Sequence, residues 1–372
     1  MSGRDFLVVG GGPAGAAAAI ALARGGASVA VLTRPERADR PRVGETLPPT
    51  VVGPLARLGV WDSFRADGHV PAPGTVVCWG GERPYENDYV FSPYGNGWHL
   101  DRTRFDTMLL HAAAAAGASM HRLAPGDRVE FDGTTWWARV GDRLLRAPFA
   151  MDATGRAAHI GRRRGADREH VDGLVGLVRF GPAACSEPRT ILEAAPGGWW
   201  YGAVLPRGRA VTAFFTDADL LPAGAAARGR HWSEGLSGTR LVAGLMARTG
   251  CTRIHTAVAR TSVLSRCTGP DWLAVGDAAR TLDPLSGQGL EVALTSAIRA
   301  AAALLGPCRA RGVAEFARET TVQQHGHLAG RTAHYRREPR WAGSPFWRRR
   351  QRPPELVAGC RSGISASTAP SS

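Results

Sequence analysis

The 372-residue chain contains no lysine; all 46 of its basic residues are arginines. Chemistry that needs an ε-amine is therefore excluded: no Schiff-base lysine, no lysine general base, no Walker-type phosphate lysine. In a chain rich in alanine, glycine and proline, the bias is what a GC-rich genome produces. Cysteine is sparse. The six residues, at 78, 185, 251, 267, 308 and 360, form no CxxC pair, which excludes a disulfide scaffold and a zinc ribbon. No apolar run approaches the roughly 18–20 residues of a membrane span. The opening MSGRDFLVVG carries no charged-then-apolar leader. The expectation is a soluble, cytoplasmic protein.

What is present is globular: 44% hydrophobic and 21% charged residues, enough apolar chain for a sizeable core. The length suits about two to three domains, or one large domain with an insertion. The net charge is +14. Half of it lies in residues 331–372, where nine arginines face only Glu338 and Glu355. The last stretch, 362–372, is Ser/Ala/Thr/Pro and reads as a disordered tail.

Residues 5–33 read as strand, turn, helix and strand. Phe6–Val9 is a short buried run, Ala14–Arg24 is helical, Gly25-Gly26 stops it, and Val29–Leu32 is the next strand. Between strand and helix stands Gly10-x-Gly12-x-x-Gly15, with Pro13 and Ala14 inside it. The first glycine permits the tight turn, the second lets backbone approach a pyrophosphate, and the third lets helix pack on strand. The anion then sits at the helix N-terminus. The acid expected about 20 residues on, to bind the adenosine ribose, is missing. Thr33-Arg34 stands there. Either Glu36 swings in or the dinucleotide is held more weakly.

Two further segments favour FAD over NAD. Asp152-Ala153-Thr154-Gly155-Arg156 ends a strand. Gly276-Asp277-Ala278-Ala279 precedes Asp283-Pro284-Leu285-Ser286-Gly287-Gln288-Gly289 and a long helix from about Gly287 to Leu305. A strand-end aspartate can accept from ribityl hydroxyls. A helix N-terminus can stabilise an anionic reduced flavin. Residues 175–216 alternate as sheet, and 100–118 read as a second helix.

Together, GGGPAG (10–15), RVGETLPP (42–49), GWHLDRTRFD (97–106), DATGR (152–156) and GDAARTLDPLSGQG (276–289) resemble the FAD-dependent monooxygenases of the para-hydroxybenzoate-hydroxylase superfamily. GETLPP, GGWWYGAVLP (197–206) and HYRREPRWAGSPFWRRR (334–350) resemble its tryptophan-halogenase-like branch, in particular flavoproteins that oxidise tryptophan during quinone-cofactor maturation. The resemblance implies an α/β fold: a Rossmann-like FAD domain of glutathione-reductase type with an inserted β-sheet substrate domain and a C-terminal helical extension. It implies FAD contacts from Gly10, Gly12, Pro13, Ala14, Gly15, Thr33, Arg34, Arg42, Gly44, Glu45, Thr46, Arg102, Gly276, Asp277, Pro284, Gly287, Gln288 and Gly289. The branch's halogenases use a lysine to hold the oxidant and carry WxWxIP. Here lysine is absent, and Tyr201 and Ala203 take the two tryptophan places. Oxygen transfer from a C4a-hydroperoxyflavin remains.

The expected boundaries are 1–75, 97–165 and 265–330 for a discontinuous FAD domain, 76–96 and 166–264 for the substrate domain, and 331–361 for the basic extension. Trp199, Trp200 and Tyr201 are candidate substrate contacts. They lie on one strand, so they cannot all face one way. His99, Glu45 and Tyr201 are candidate catalytic residues. No metal site is expected. The expected function is hydroxylation of an indole or tryptophan-type aromatic, free or carried on a peptide, with non-covalent FAD. There is no second GxGxxG, so NAD(P)H visits transiently or a partner flavin reductase supplies the electrons. Two rivals are a flavin reductase of isoprenoid double bonds and a non-catalytic flavoprotein with an acidic partner. For the arginine-rich C-terminus, an internally packed extension stands beside a docking surface for an acidic peptide or carrier protein. Nucleic acid and membrane are not expected partners.

Overall fold

The structure is a computed structural model that describes residues 2–35, 42–247 and 249–354. Glu36 and the tail 362–372 lie outside the described residues. In chain order the strands that build the site are β1 (Phe6–Val9), β2 (Val29–Thr33), β3 (Gly74–Cys78), β4 (Tyr85–Asp88), β5 (Gly97–His99), β6 (Ser119–Arg122) and β7 (Phe149–Asp152). They continue as β8 (Leu174–Pro182), β9 (Thr190–Ala195), β10 (Gly198–Leu205), β11 (Arg209–Asp217), β12 (His255–Val258) and β13 (Trp272–Ala274). The helices are α1 (Pro13–Arg24), α2 (Arg102–Ala115), α3 (Gly289–Leu305), α4 (Arg309–Arg336) and α5 (Pro345–Gln351).

Five strands form a parallel sheet in the order β13-β7-β1-β2-β6. β1 and β7 are buried throughout, as a parallel sheet covered on both faces requires. That is why FLVV and FAMD read as continuous apolar runs. α1 starts with proline at its first position, where the missing N–H costs nothing. It ends at Gly25, followed by Gly26 at φ +88. Its alanine face packs on the sheet and on α3.

A seven-stranded sheet follows, β12-β8-β11-β10-β9-β3-β4, antiparallel except where β9 runs parallel to β3. One face carries Trp199, Ala203, Val211, Ala213 and Phe215. The other carries Trp200, Phe214 and Leu177, covered by Trp232, Val242 and Leu245. The residue range 76–96 supplies strands to this sheet. The expected break at 330/331 falls inside α4, whose 28 residues run unbroken from Arg309 to Arg336. After it, Phe346 and Trp347 of α5 are fully buried against Trp79 and Tyr335. Among the described residues no helix is long and apolar enough to cross a membrane.

Candidate functional site

The turn after β1 shows why three glycines stand where they do. Gly10 sits at φ +116, and a Cβ there would lie 2.2 Å from the Ala153 carbonyl oxygen. A Cβ on Gly15 would lie 1.9 Å from the Gly10 oxygen, so helix and turn touch through bare backbone. A Cβ on Gly12 would meet nothing within 4 Å. Gly12 therefore opens onto the cavity, at the uncapped N-terminus of α1. That is an anion cradle: free N–H groups, the positive end of a helix, and space. Thr33 ends β2 with its hydroxyl donating to the His121 carbonyl at 3.4 Å, and Arg34 is exposed.

The second half of the site comes from two loops. Gly276, at φ +56, brings its loop against Ala14 of α1, which sets Asp277 in the cavity wall, 3.6 Å from Arg156. Asp283, Pro284, Gly287 and Gly289 line the same cavity ahead of α3. Gln288 points to a neighbouring groove beside His327 instead. Across from them Gly44, at φ +99, is tied down by Arg102, which donates to the carbonyls of Val43 at 2.5 Å and Gly44 at 3.0 Å. Arg42 and Arg102 share Asp106.

The cavity, of about 370 Å³, runs from this cradle to the seven-stranded sheet. Its sheet side is set by cross-strand register. Trp199 of β10 pairs with Phe215 of β11, Phe215 with Gly176 of β8, and Gly176 with Ala257 of β12. Trp199 and Phe215 stack with ring centroids 4.2 Å apart. Tyr201, two residues along, shares that face and meets Thr46 at 2.7 Å, hydroxyl to hydroxyl. Trp200 does not reach the cavity. Alternation sends it to the opposite face, against Phe214 and Trp232, which corrects its expected role in substrate contact.

His99 is corrected as well. It is fully buried, and both ring nitrogens are engaged, Nδ1 with the Val204 carbonyl at 2.8 Å and Nε2 with the Thr190 hydroxyl at 2.9 Å. Burial pushes its pKa down to about 4. It is a neutral strut joining β5, β10 and β9, not an acid or base. Glu45 is different. It lines the cavity, is 2% exposed, and its Oε1 has no hydrogen-bond partner. Burial raises its pKa to about 7, against the opposing pull of Arg102. Burial and the neighbouring Glu45 hold the Tyr201 phenol far above its usual range, so it stays neutral.

The profile of the family described as an FAD binding domain matches residues 4–318. The chain belongs to that family. It is 29% identical over 362 residues to a Marinomonas mediterranea protein named FAD-dependent oxidoreductase LodB, covering 94% of this chain and 97% of that one. The solved structure of QhpG, described as a peptidyl tryptophan dihydroxylase essential for tryptophylquinone cofactor biogenesis, matches with TM-score 0.79 at 28% identity, covering 96% and 80% of the two chains. The myxobacterial chondrochloren halogenase CndH shares the fold, with TM-score 0.83 at 22% identity over 96% and 87%.

This flavoprotein is thus an FAD-dependent oxidoreductase, and flavin-dependent halogenases are among the proteins it is similar to. Its residues fit the cofactor. A side chain at Gly12 would fill the cradle, and the buried Glu45 oxygen in the cavity wall is left unpaired. Gly12, Pro13, Ala14, Gly44, Thr46, Arg102, Asp277, Pro284, Gly287 and Gly289 all border the one cavity where FAD would be held.

The sequence reading missed what holds the loop ahead of α3. Asp283 is 1% exposed. It accepts from Arg331 Nε at 2.9 Å and from the Tyr335 hydroxyl at 3.1 Å, both on α4. The same Tyr335 oxygen accepts from Trp199 Nε1 at 3.0 Å. One tyrosine so joins the flavin loop to the cavity wall. The signal was present in HYRRE, but nothing local marks which tyrosine reaches inward. Of the two readings open for the C-terminal arginines, internal packing describes Arg350 and Arg349. Arg350 is 1% exposed and bonds both oxygens of Asp217 at 2.6 and 3.0 Å. Arg349 pairs with Asp217 and Asp219. Arg350 is thus neutralised inside the fold, and the half-exposed Arg349 is paired at its edge.

Proposed function

We propose that this flavoprotein oxygenates an electron-rich aromatic, an indole of the tryptophan type, carried on a peptide or protein. The observation that carries the reading is the cavity wall facing the nucleotide cradle. Trp199, Phe215 and Tyr201 stand among Ala213, Val211 and Ala257, a largely apolar surface suited to stacking a flat aromatic. Bound reduced FAD supplies the activation of O2. The chain's part is to orient, to keep the site dry and to move a proton.

Glu45 is the proton-handling group of this reading. A carboxyl with a pKa near 7 is poised to give and take protons at neutral pH. Tyr201 and Thr46 hold the wall beside it as a neutral hydroxyl pair. In each turnover one oxygen atom enters the substrate and the other leaves as water, with two electrons supplied by NAD(P)H directly or through a separate reductase. The lysine that the resembling halogenases use to hold their oxidant has no counterpart, because the chain has none. The kinship with QhpG supports a peptide-borne substrate.

The test is reconstitution with FAD, a flavin reductase, NADH and O2 in the presence of bromide and tryptophan-containing peptides. The expected product has gained oxygen. A brominated product above the enzyme-free control would overturn the proposal.

A further inference from the structure

β12 is the last strand of the seven-stranded sheet, and it borders the cavity: Ala257, Val258 and Ala259 line it. Ala259 N–H donates to the Leu174 carbonyl at 3.0 Å. In an antiparallel ladder hydrogen-bonded pairs alternate with unbonded ones. The pairs 257/176 and 255/178 are therefore bonded, and the pairs Thr256/Leu177 and Val258/Val175 are not. Thr256 and Val258 turn their backbone N–H and C=O groups away from β8, toward the open edge. Both residues are exposed, Val258 by 58%. Among the described residues no backbone group pairs with them there.

A strand added at this edge would continue the row Trp199–Phe215–Gly176–Ala257. Side chains in one row point to one face. A residue placed opposite Ala257 would project onto the cavity face, and the small residues clear its way. Ala257 is a single methyl, and at Gly176 a Cβ would lie 2.9 Å from the Phe215 ring, so that ring leans over bare backbone toward the edge. Two strand spacings, about 10 Å, separate β12 from β11.

The chain leaving β12 enters a basic cluster. Arg156 donates to the Arg260 carbonyl at 2.9 Å. Arg162, Arg168 and Arg260 all act on His170, with Asp152, Asp172 and Asp277 the acids that act on the cluster. Arg156, Arg162 and His170 are exposed. An occupant with acidic flanks matches this surface.

We infer that the open edge of β12 docks the substrate as an added strand: an extended, acidic segment of a partner chain, pairing with Thr256 and Val258 and sending its aromatic side chain over Ala257 into the cavity. This rests on the peptide-borne reading above. It explains how a side chain on a macromolecule reaches a closed aromatic wall, since main-chain pairing supplies affinity and register supplies selection.

The test uses the FAD-loaded protein and a short acidic peptide with a central tryptophan, with binding read by fluorescence anisotropy separately from turnover. Thr256→Pro removes an outward N–H that the fold does not use, at an edge where proline is tolerated. It should weaken peptide binding about tenfold or more, the scale of a lost backbone hydrogen bond plus a clash, while oxygenation of free indole stays unchanged. Thr256→Val keeps the N–H and should bind as the parent does. N-methylating the peptide amides on its paired edge should weaken binding to the unaltered protein, and methylating the other edge should not. Glutamine in place of the peptide's glutamates should weaken it too.

Equal binding by Thr256→Pro and by both methylated peptides would overturn the docking strand while leaving oxygenation standing. A dimer that Thr256→Pro dissociates would show that a second copy covers the edge, and would also overturn it. Peptide bound through this edge but never oxygenated would sink the proposed reaction and leave the docking strand intact.

Discussion

Arg350→Gln separates a structural arginine from a docking one. Arg350 is sealed under Phe346, its guanidinium carbon 3.9 Å from that ring's centroid, and it bonds both oxygens of Asp217. Removing one partner of a buried pair leaves the other charged and poorly solvated, at a cost of about 3–5 kcal/mol. Arg349 still reaches Asp217 at 3.0 Å, which places the expectation toward the lower end. With 372 residues at about 2.1 cal/mol/K each, the unfolding entropy is about 0.8 kcal/mol/K, so Tm should fall by about 4–6 °C. Arg349→Gln removes a half-exposed cation, 47% accessible, and should cost no more than about 1 kcal/mol. Arg348 is exposed, and Arg348→Gln should cost nothing measurable. The assay is thermal melting followed by tryptophan fluorescence, which suits a region where Trp79, Trp341 and Trp347 cluster. Equal and unchanged Tm values for all three variants, joined by slower turnover of a peptide substrate, would refute the reasoning and return these arginines to the surface.

Gly12→Ala should fold with an unchanged Tm in the absence of FAD, because its Cβ meets nothing, yet bind FAD at least about tenfold more weakly by flavin fluorescence titration; Gly15→Ala should instead lose stability through the Gly10 clash. Glu45 binds its proton more tightly folded, at about 7, than its ordinary 4.5, so stability is fully present below 4.5 and declines as pH rises through 7. Glu45→Gln should flatten that slope and be the more stable form at pH 8 by up to about 3 kcal/mol, read by urea denaturation. It should also remove any limb near pH 7 from the kcat profile, and an unaltered profile would exclude Glu45 as the proton carrier. Thr33→Glu should tighten FAD, since a carboxylate can accept from both ribose hydroxyls where a threonine cannot; unchanged affinity by titration would place the ribose contact elsewhere. Tyr335→Phe orphans Trp199 Nε1 and removes one donor to Asp283, at about 1–3 kcal/mol by thermal melting.

The legible parts were those whose function is backbone geometry. Gly10, Gly12 and Gly15 could be assigned separate tasks from spacing alone, because each task is the absence of a Cβ, and absence is local. Strand alternation likewise predicted that 199–201 could not share one face. It could not say which face was inward, since Trp199 and Trp200 are equally apolar and both end up 1% exposed. What settles the choice is the layer behind each: Trp232 and Leu245 back one side, and Tyr335 with the flavin loop takes the other. His99 failed for the same reason. Next to a cofactor motif a histidine reads as chemistry, and only strands about 90–105 positions away reveal that its two nitrogens are spent on Thr190 and Val204.

The C-terminal arginines make the converse point. Charge density read along the chain left a packed extension and a docking surface both open, because sequence shows a cation and not its distance from an acid. Asp217 ends β11 and Asp172 precedes β8, two strands paired along their length. Their carboxylates meet Arg350 and Arg331 only after α4 and α5 fold back over the sheet. The extension is thereby part of the site. Arg331 and Tyr335 grip Asp283 at the loop ahead of α3, Tyr335 grips Trp199 at the cavity wall, and Arg350 anchors the end of the same sheet. If that chain of contacts is what shapes the cavity, Tyr335→Phe should change the absorbance envelope of bound FAD or the KM for peptide more than its cost in Tm alone implies, and a variant that merely loosens α5 should not.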